Sequence, residues 1–204
     1  KLTGHLESNI LPYVEAGIDG TEHGSGSAEA TIRDEKSLKT LALWETWLIK
    51  FLGPWTLAER KHYPEVTEFL AKKGTFIEPT AVLWGASLGM RGKWEKEDYE
   101  WLKNPGLAYI SESERILWLD HYYLAYGPRV AHEVKDEVIF GDGYSYYGIL
   151  PQDEMKEGFR RMGEFICQLV KAGGHVVTGT DAPAVPPGIS LHRDMELLVM
   201  AGLT

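Results

Sequence analysis

The sequence has a single cysteine, Cys167, so it cannot form an internal disulfide. It also lacks an apolar run near the roughly 20 residues of a membrane-spanning helix, and it shows no basic-then-apolar leader segment. Positive charge is in the minority, with 21 Lys and Arg against 30 Asp and Glu and a net charge of -9, which argues against a nucleic-acid partner. We therefore expect neither a membrane nor a nucleic acid as partner. We also expect a reducing compartment such as the cytoplasm, although a periplasmic or secreted location stays open.

The chain is instead well supplied with apolar residues, which make up 44% of its 204 positions, enough for the core of one domain. Apolar spacing and turn residues predict short strands and helices in alternation. The predicted strands cover residues 2–5, 18–23, 75–80 and 175–180. The predicted helices cover residues 8–16, 37–52, 64–73, 153–172 and 190–201. Such alternation is typical of an α/β fold with parallel strands joined by helical crossovers, and four of these units are half of an eight-stranded (β/α)8 barrel.

Residues 81–150 interrupt this alternation of strands and helices. They hold more than half of the chain's Trp, Tyr and Phe residues. We interpret the stretch as a partly helical, aromatic-rich insertion. Two roles fit it: packing against the rest of the protein, or covering a bound substrate as a lid.

Three side chains able to bind a metal lie at or near the ends of predicted strands: His5, His23 and Asp181. The carboxyl ends of parallel strands meet at one edge of a sheet, and in βα barrels that edge carries the chemistry. Two imidazoles and one carboxylate are a normal part-set of ligands for a zinc-type site. The three positions together therefore predict a metal site, although each residue alone is more often structural.

Four segments also carry a resemblance to a known family: Gly4-His5, Glu15–Gly24, Thr178–Pro183 and Leu191–Thr204. Together they resemble the amidohydrolase superfamily, in particular its imidazolonepropionase-like and Xaa-Pro dipeptidase-like branch. The matching residues lie at both ends of the chain in the family's order. The resemblance implies that residues 1–204 are the C-terminal part of a catalytic barrel, strands five to eight, with 81–150 as an insertion.

The resemblance implies roles for the same three residues. His5 would end the fifth barrel strand and His23 the sixth, and both would bind a divalent metal, most simply zinc, as one ion or two. Asp181 would end the eighth strand, contact the metal or its water, and act as general base. The family's His-x-His pair and carboxylated lysine have no counterpart in this sequence. The resemblance therefore implies that the first half of the barrel comes from residues absent here or from another chain.

The expected activity is hydrolysis of a C–N bond, in a dipeptide-like or other small-molecule substrate, by a metal-activated water. Glu22 either orients the imidazole of His23 or makes a structural salt bridge. His192 either contacts substrate or serves as a surface or capping residue. Two other functions stay open: a non-catalytic half-barrel or assembly module, which could self-associate as a homo-oligomer, and an aromatic-rich domain that binds an apolar ligand.

Overall fold

A computed structural model of the chain describes residues 1–44, 52–85, 88, 91–108, 110–113, 115, 150, 152–181 and 188–204. These residues form a mixed α/β structure around a four-stranded parallel sheet. The strands are β1 (Thr3–Gly4), β2 (Gly20–Thr21), β3 (Phe76–Ile77) and β4 (His175–Val176). The predicted α/β class and the parallel pairing of all four strands are thus confirmed.

The strands lie in the sheet in the order in which the chain forms them, β1-β2-β3-β4. Gly20 pairs with Thr3 on one side and with Phe76 on the other. A Cβ atom at Gly20 would lie 2.5 Å from the ring of Phe76, so the neighbouring strand requires glycine here. Each strand lies beside its predecessor in the chain, so the strand order does not reverse within the described sheet.

Helices fill the connections between the strands. Their bounds are α1 (Leu11–Glu15), α2 (Glu35–Ala42), α3 (Pro54–Leu57), α4 (Tyr63–Lys73), α5 (Arg91–Leu102), α6 (Gln152–Lys171) and α7 (Ile189–Met200). Short 3-10 turns add Glu22–Gly24, Glu29–Thr31, Arg60–His62, Ala81–Trp84 and Pro105–Leu107. No helix among the described residues is both long and apolar enough to cross a membrane.

The core lies where α6 packs on α3 and α4. The apolar spacing of α6 predicts one inner face, and this is confirmed for Met155, Phe159, Met162, Ile166 and Leu169 but wrong for Val170, which is exposed. Phe165 joins them and meets the rings of Trp55 and Tyr63 edge-on, each at a centroid distance of 5.3 Å. Such edge contacts add to the stabilisation that burial of the rings provides.

Several helix boundaries differ from the sequence prediction. The helix expected over 37–52 ends at Ala42, and Trp44 lies beyond it; residues 45–51 are outside the described part. α1 begins at Leu11 after Ile10, although Asn9 still accepts a hydrogen bond from the Leu11 backbone N–H at 2.9 Å. α7 begins at Ile189 with Gly188 before it, so Ser190 is not its N-cap. These shifts are the usual error of patterns that set boundaries without tertiary contacts.

The inner face of α7 was predicted correctly only in part. The sequence pattern predicts that Leu191, Met195, Leu198 and Val199 face inward, but only Leu198 is buried; the other three are exposed, and Arg193 and Asp194 are buried in their place. The two charged residues face inward because each has a partner: Arg193 donates to the carbonyl of Trp94 and Asp194 accepts from the Val82 backbone N–H. Buried charges with hydrogen-bond partners are tolerated, and a search for apolar spacing does not find them.

β4 differs too, because the sequence suggested a strand buried on both faces. Val176 is half-buried, and the next residue, Val177, is 41% exposed. β4 is an edge strand of the described sheet, which explains the exposure.

The predicted insertion is only partly described. Trp84 and Trp94 are fully buried in the core, so the packing role fits the described portion. All of residues 116–149 lie outside the described residues, so the idea that 81–150 is a lid stays a prediction.

Candidate metal centre

Polar side chains gather at the carboxyl edge of the sheet. His5 directly follows β1, His23 lies two residues after β2, and Glu78 directly follows β3. Asp181 comes five residues after β4 ends at Val176. The four connections that leave this edge thus each contribute one residue to the same cluster, as is usual for sites of parallel sheets.

The three predicted ligands lie close together. The imidazole rings of His5 and His23 are 4.6 Å apart between centroids and inclined by 56°. Nε2 of His23 lies 3.9 Å from Oδ2 of Asp181. His23 is 2% exposed and Asp181 is 36% exposed, so the carboxylate stands on the solvent side of the buried imidazole.

The second ring nitrogen of His23 has a partner that the sequence analysis did not identify. Nδ1 lies 2.8 Å from the hydroxyl oxygen of Thr80. The Thr80 hydroxyl in turn donates to the carboxylate of Glu78, at 2.8 Å from Oε2 and 3.0 Å from Oε1. A chain of side-chain hydrogen bonds therefore runs from Glu78 through Thr80 to His23.

Burial keeps His23 neutral. It lowers the pKa of the imidazole from its ordinary value to about 4, against the opposing effect of the Asp181 carboxylate, while His5 lowers it further and Glu22 raises it. A neutral imidazole is the form that binds metals, and its 3.9 Å contact with Asp181 is consequently no ion pair at neutral pH.

Glu78 is the buried carboxyl of the cluster, with only 7% of its surface exposed. Burial raises its pKa to about 7, although hydrogen bonds from the Thr80 hydroxyl and backbone N–H favour the ionised form. Room for it comes from Gly179, where a Cβ atom would lie 2.4 Å from the Glu78 carboxyl carbon. The loop after β4 thus depends on glycine to accept the Glu78 side chain.

Asp194, on α7, accepts hydrogen bonds from two of the loops that contribute residues to the cluster, the one after β3 and the one after β4. Its Oδ1 accepts a hydrogen bond from the Val82 backbone N–H at 3.0 Å. Backbone N–H groups of Gly179 and Ala81 also favour its ionised form, while burial raises its pKa to about 6. The carboxyl of α7 therefore holds the segment after β3 and the segment after β4 in a fixed relation.

The donor set fits a zinc-type ion in kind but supplies only part of its coordination. Ligand atoms around one tetrahedral zinc are about 3.4 Å apart, so the 3.9 Å between His23 and Asp181 is about half an ångström wider. Across the described segments, no three His, Cys, Asp or Glu side chains form a complete metal-binding group.

The other two predicted residues are less central. Glu22 lies in the turn beside His23, and its charge raises the pKa of that imidazole, but the partner of Nδ1 is Thr80. His192 is exposed on α7, two residues before the buried Asp194.

Glu78 and Thr80 were missed because the strand was predicted to run to residue 80. It ends at Ile77, which moves Glu78-Pro79-Thr80 into the loop at the site. Pro79, which cannot donate to a sheet ladder, was the sequence signal for this earlier end.

Comparison with family models, with curated proteins and with solved structures finds no match for this chain.

Proposed function

We propose that this chain is the C-terminal half of an amidohydrolase-type (β/α)8 barrel and part of a metal-dependent hydrolase of C–N bonds. The supporting fold observation is the sheet order β1-β2-β3-β4 with all pairs parallel. That winding, continued through four further strands, closes a barrel. The remaining strands and ligands would come from a segment outside this sequence or from another chain.

The observation that carries the functional proposal is the convergence of His5, His23 and Asp181 at the carboxyl edge of the sheet. His5 and His23 would hold a divalent ion, most simply zinc, with Asp181 as the facing carboxylate. When bound, such an ion lowers the pKa of a water molecule towards neutrality and polarises a carbonyl oxygen.

The residues of this chain have separate roles in the proposed reaction. Buried His23 stays neutral and fixed in place, because Thr80 binds its Nδ1. Asp181, the solvent-side carboxylate, accepts the proton of the water as the water oxygen attacks the carbonyl carbon. The same carboxyl then gives that proton to the leaving nitrogen as the C–N bond breaks, so protons balance over the cycle.

The test uses the natural protein that carries this sequence, loaded with zinc and assayed on dipeptides, including Xaa-Pro, and on cyclic amides. We expect hydrolysis that a chelator abolishes and that Asp181→Asn lowers by about 10²–10⁴-fold, the usual contribution of a general base. Asp153→Asn, at an exposed position of α6, is the matched control and should keep full activity. Full activity of the Asp181→Asn enzyme would overturn the mechanism.

A second function, a non-catalytic assembly module, is favoured by one observation: β1 and β4 are edge strands of the described sheet, and open edges can pair with another chain. Metal analysis separates the two proposals. The module would bind no zinc at His5 and His23 and would associate through the edges of its sheet.

A further inference from the structure

The Thr80 hydroxyl lies between the carboxylate of Glu78, which only accepts hydrogen bonds when ionised, and the ring nitrogen Nδ1 of His23. Its oxygen is 2.8 Å from Glu78 Oε2 and 2.8 Å from His23 Nδ1. All three side chains are buried, so they exchange these hydrogen bonds with one another in a medium where mismatched donors and acceptors are costly.

The position of Thr80 is enforced by its backbone. Its φ of 44° and ψ of 52° are left-handed, which is a genuine outlier for a β-branched residue. Its backbone N–H donates to Glu78 Oε1 at 2.7 Å, so the carboxylate holds both the backbone and the hydroxyl of Thr80. Strain of this kind persists where the surroundings fix it, and such positions cluster at functional sites.

Counting protons along the chain of hydrogen bonds gives the tautomer of His23. An ionised carboxylate only accepts, so the single Thr80 hydroxyl proton points to Glu78. The Thr80 oxygen is then the acceptor in its contact with Nδ1, and Nδ1 must carry the hydrogen. A neutral imidazole has one N–H, so Nε2 carries a lone pair on the side of Asp181.

We propose that Glu78 and Thr80 are positioning residues that hold His23 in the Nδ1–H tautomer and so keep Nε2 ready to bind a cation beside Asp181. The tautomer itself is a property of this chain alone. Its consequence for metal binding rests on the proposed function. With the opposite tautomer, the Nε2 hydrogen would occupy the place of the ion.

The experiment reads the tautomer directly in metal-free protein. Protein labelled with 15N-histidine is studied at pH 8.5 with a chelator present, where Glu78 is ionised and the His23 imidazole is neutral. Long-range 1H–15N correlation distinguishes the protonated ring nitrogen from the unprotonated one, and His23→Gln identifies the His23 signals.

Three variants make the test specific. Thr80→Ser keeps the hydroxyl and should keep the Nδ1–H form. Glu78→Gln places an amide N–H where Oε2 stood; this donor turns the Thr80 hydroxyl towards Nδ1 and should shift His23 to the Nε2–H form. Thr80→Val removes the acceptor and should leave a mixture of tautomers. A purely structural role of Glu78 would leave the tautomer unchanged.

The outcomes for tautomer and metal are separable. We also expect Glu78→Gln to bind Co²⁺ about 10–100-fold more weakly, as when the partner of a ligating histidine is lost. Nδ1–H in a wild type that binds no Co²⁺ would support this inference and remove the proposed function. Nε2–H in the wild type, with or without Co²⁺ binding, would overturn the inference, and so would a Glu78→Gln variant that keeps the wild-type tautomer.

Discussion

Three residues near the carboxyl edge of the sheet have a strained, left-handed backbone. Among the described residues, the non-glycine positions with a left-handed backbone are His23, Thr80 and Asp181, with φ of 55°, 44° and 53°. Each follows a different strand, and all three belong to the cluster at the carboxyl edge. Such conformations cost free energy and persist where the surroundings fix them, and two of the three residues, His23 and Asp181, are predicted ligands.

Asp181 gives a direct test of this strain. Glycine adopts a left-handed backbone without cost, whereas alanine does not, so we expect Asp181→Gly to be about 1 kcal/mol more stable than Asp181→Ala. Urea denaturation of the two variants measures the difference. The same pair at Lys156, inside α6, is the control and should show the reverse order, because alanine stabilises a helix more than glycine does. Equal stability at position 181 would mean that its backbone is not strained.

The carboxyl of Glu29 should make the free energy of unfolding of the protein depend on pH. Burial raises its pKa to about 7, above the ordinary value of 4.5. The folded protein thus binds this proton more tightly than the unfolded chain does. The resulting stability is complete below about pH 4.5 and is lost as the pH rises through 7.

Glu29→Gln removes that loss. Relative to wild type, its free energy of unfolding should rise by about 1–2 kcal/mol between pH 4.5 and pH 8.5, a moderate figure because the residue is half-buried. Urea denaturation at the two pH values measures it, and exposed Glu154→Gln controls for the loss of one formal charge. A difference from wild type that stays constant with pH would contradict the burial of the carboxyl.

At the scale of single helices and strands, the sequence predicted the features that depend on the local pattern of apolar residues. The inner face of α6 was predictable because its apolar residues recur at helical spacing, whereas the inner face of α7 was not, because Arg193 and Asp194 owe their burial to partners about a hundred residues away. For β3, Pro79 indicates from the sequence that pairing ends early, but the structure is needed to show that it ends at Ile77, which places Glu78 and Thr80 in the site.

The packing of α6 allows a matched comparison of two glycines in one helix. A Cβ atom at Gly163 would lie 2.7 Å from the Ala201 carbonyl oxygen, whereas one at Gly158 would meet only side-chain atoms of Thr56 and Trp84, at 3.1 Å. Both changes to alanine gain about 1 kcal/mol of helix propensity. We expect Gly163→Ala to be the more destabilising by about 1–3 kcal/mol in chemical denaturation, because backbone cannot move aside. The reverse ranking would show that α6 and the end of α7 are not in close contact.

At the scale of the whole molecule, the α/β class and the parallel sheet were predictable from the sequence, and a complete ligand set was not. His5, His23 and Asp181 were found from the ends of predicted strands and from a family resemblance. The relation among β1, β2, β3 and β4 then placed the imidazoles 4.6 Å apart. The sequence has no His-x-His pair, so a pattern search within it could not supply the further ligands that the family resemblance requires.

Metal binding should stabilise the whole fold, because the ligands come from separate loops that unfolding disperses. At about 100 times its dissociation constant, Zn²⁺ adds about 2.7 kcal/mol, which raises the Tm of a chain of this size by about 5–10 °C. Differential scanning calorimetry with and without Zn²⁺ measures the shift. His23→Ala should abolish it, whereas His192→Ala, at an exposed position, should retain it. An equal shift in both variants would mean that zinc binds elsewhere.

The most direct test of the metal site is an anomalous difference map from crystals of the natural protein grown with one equivalent of Zn²⁺. The account predicts a zinc peak about 2.0–2.1 Å from one ring nitrogen of His5 and from Nε2 of His23, with Asp181 facing it. Zinc bound through Nδ1 of His23, or a peak away from both imidazoles, would contradict it, as would crystals that bind no zinc.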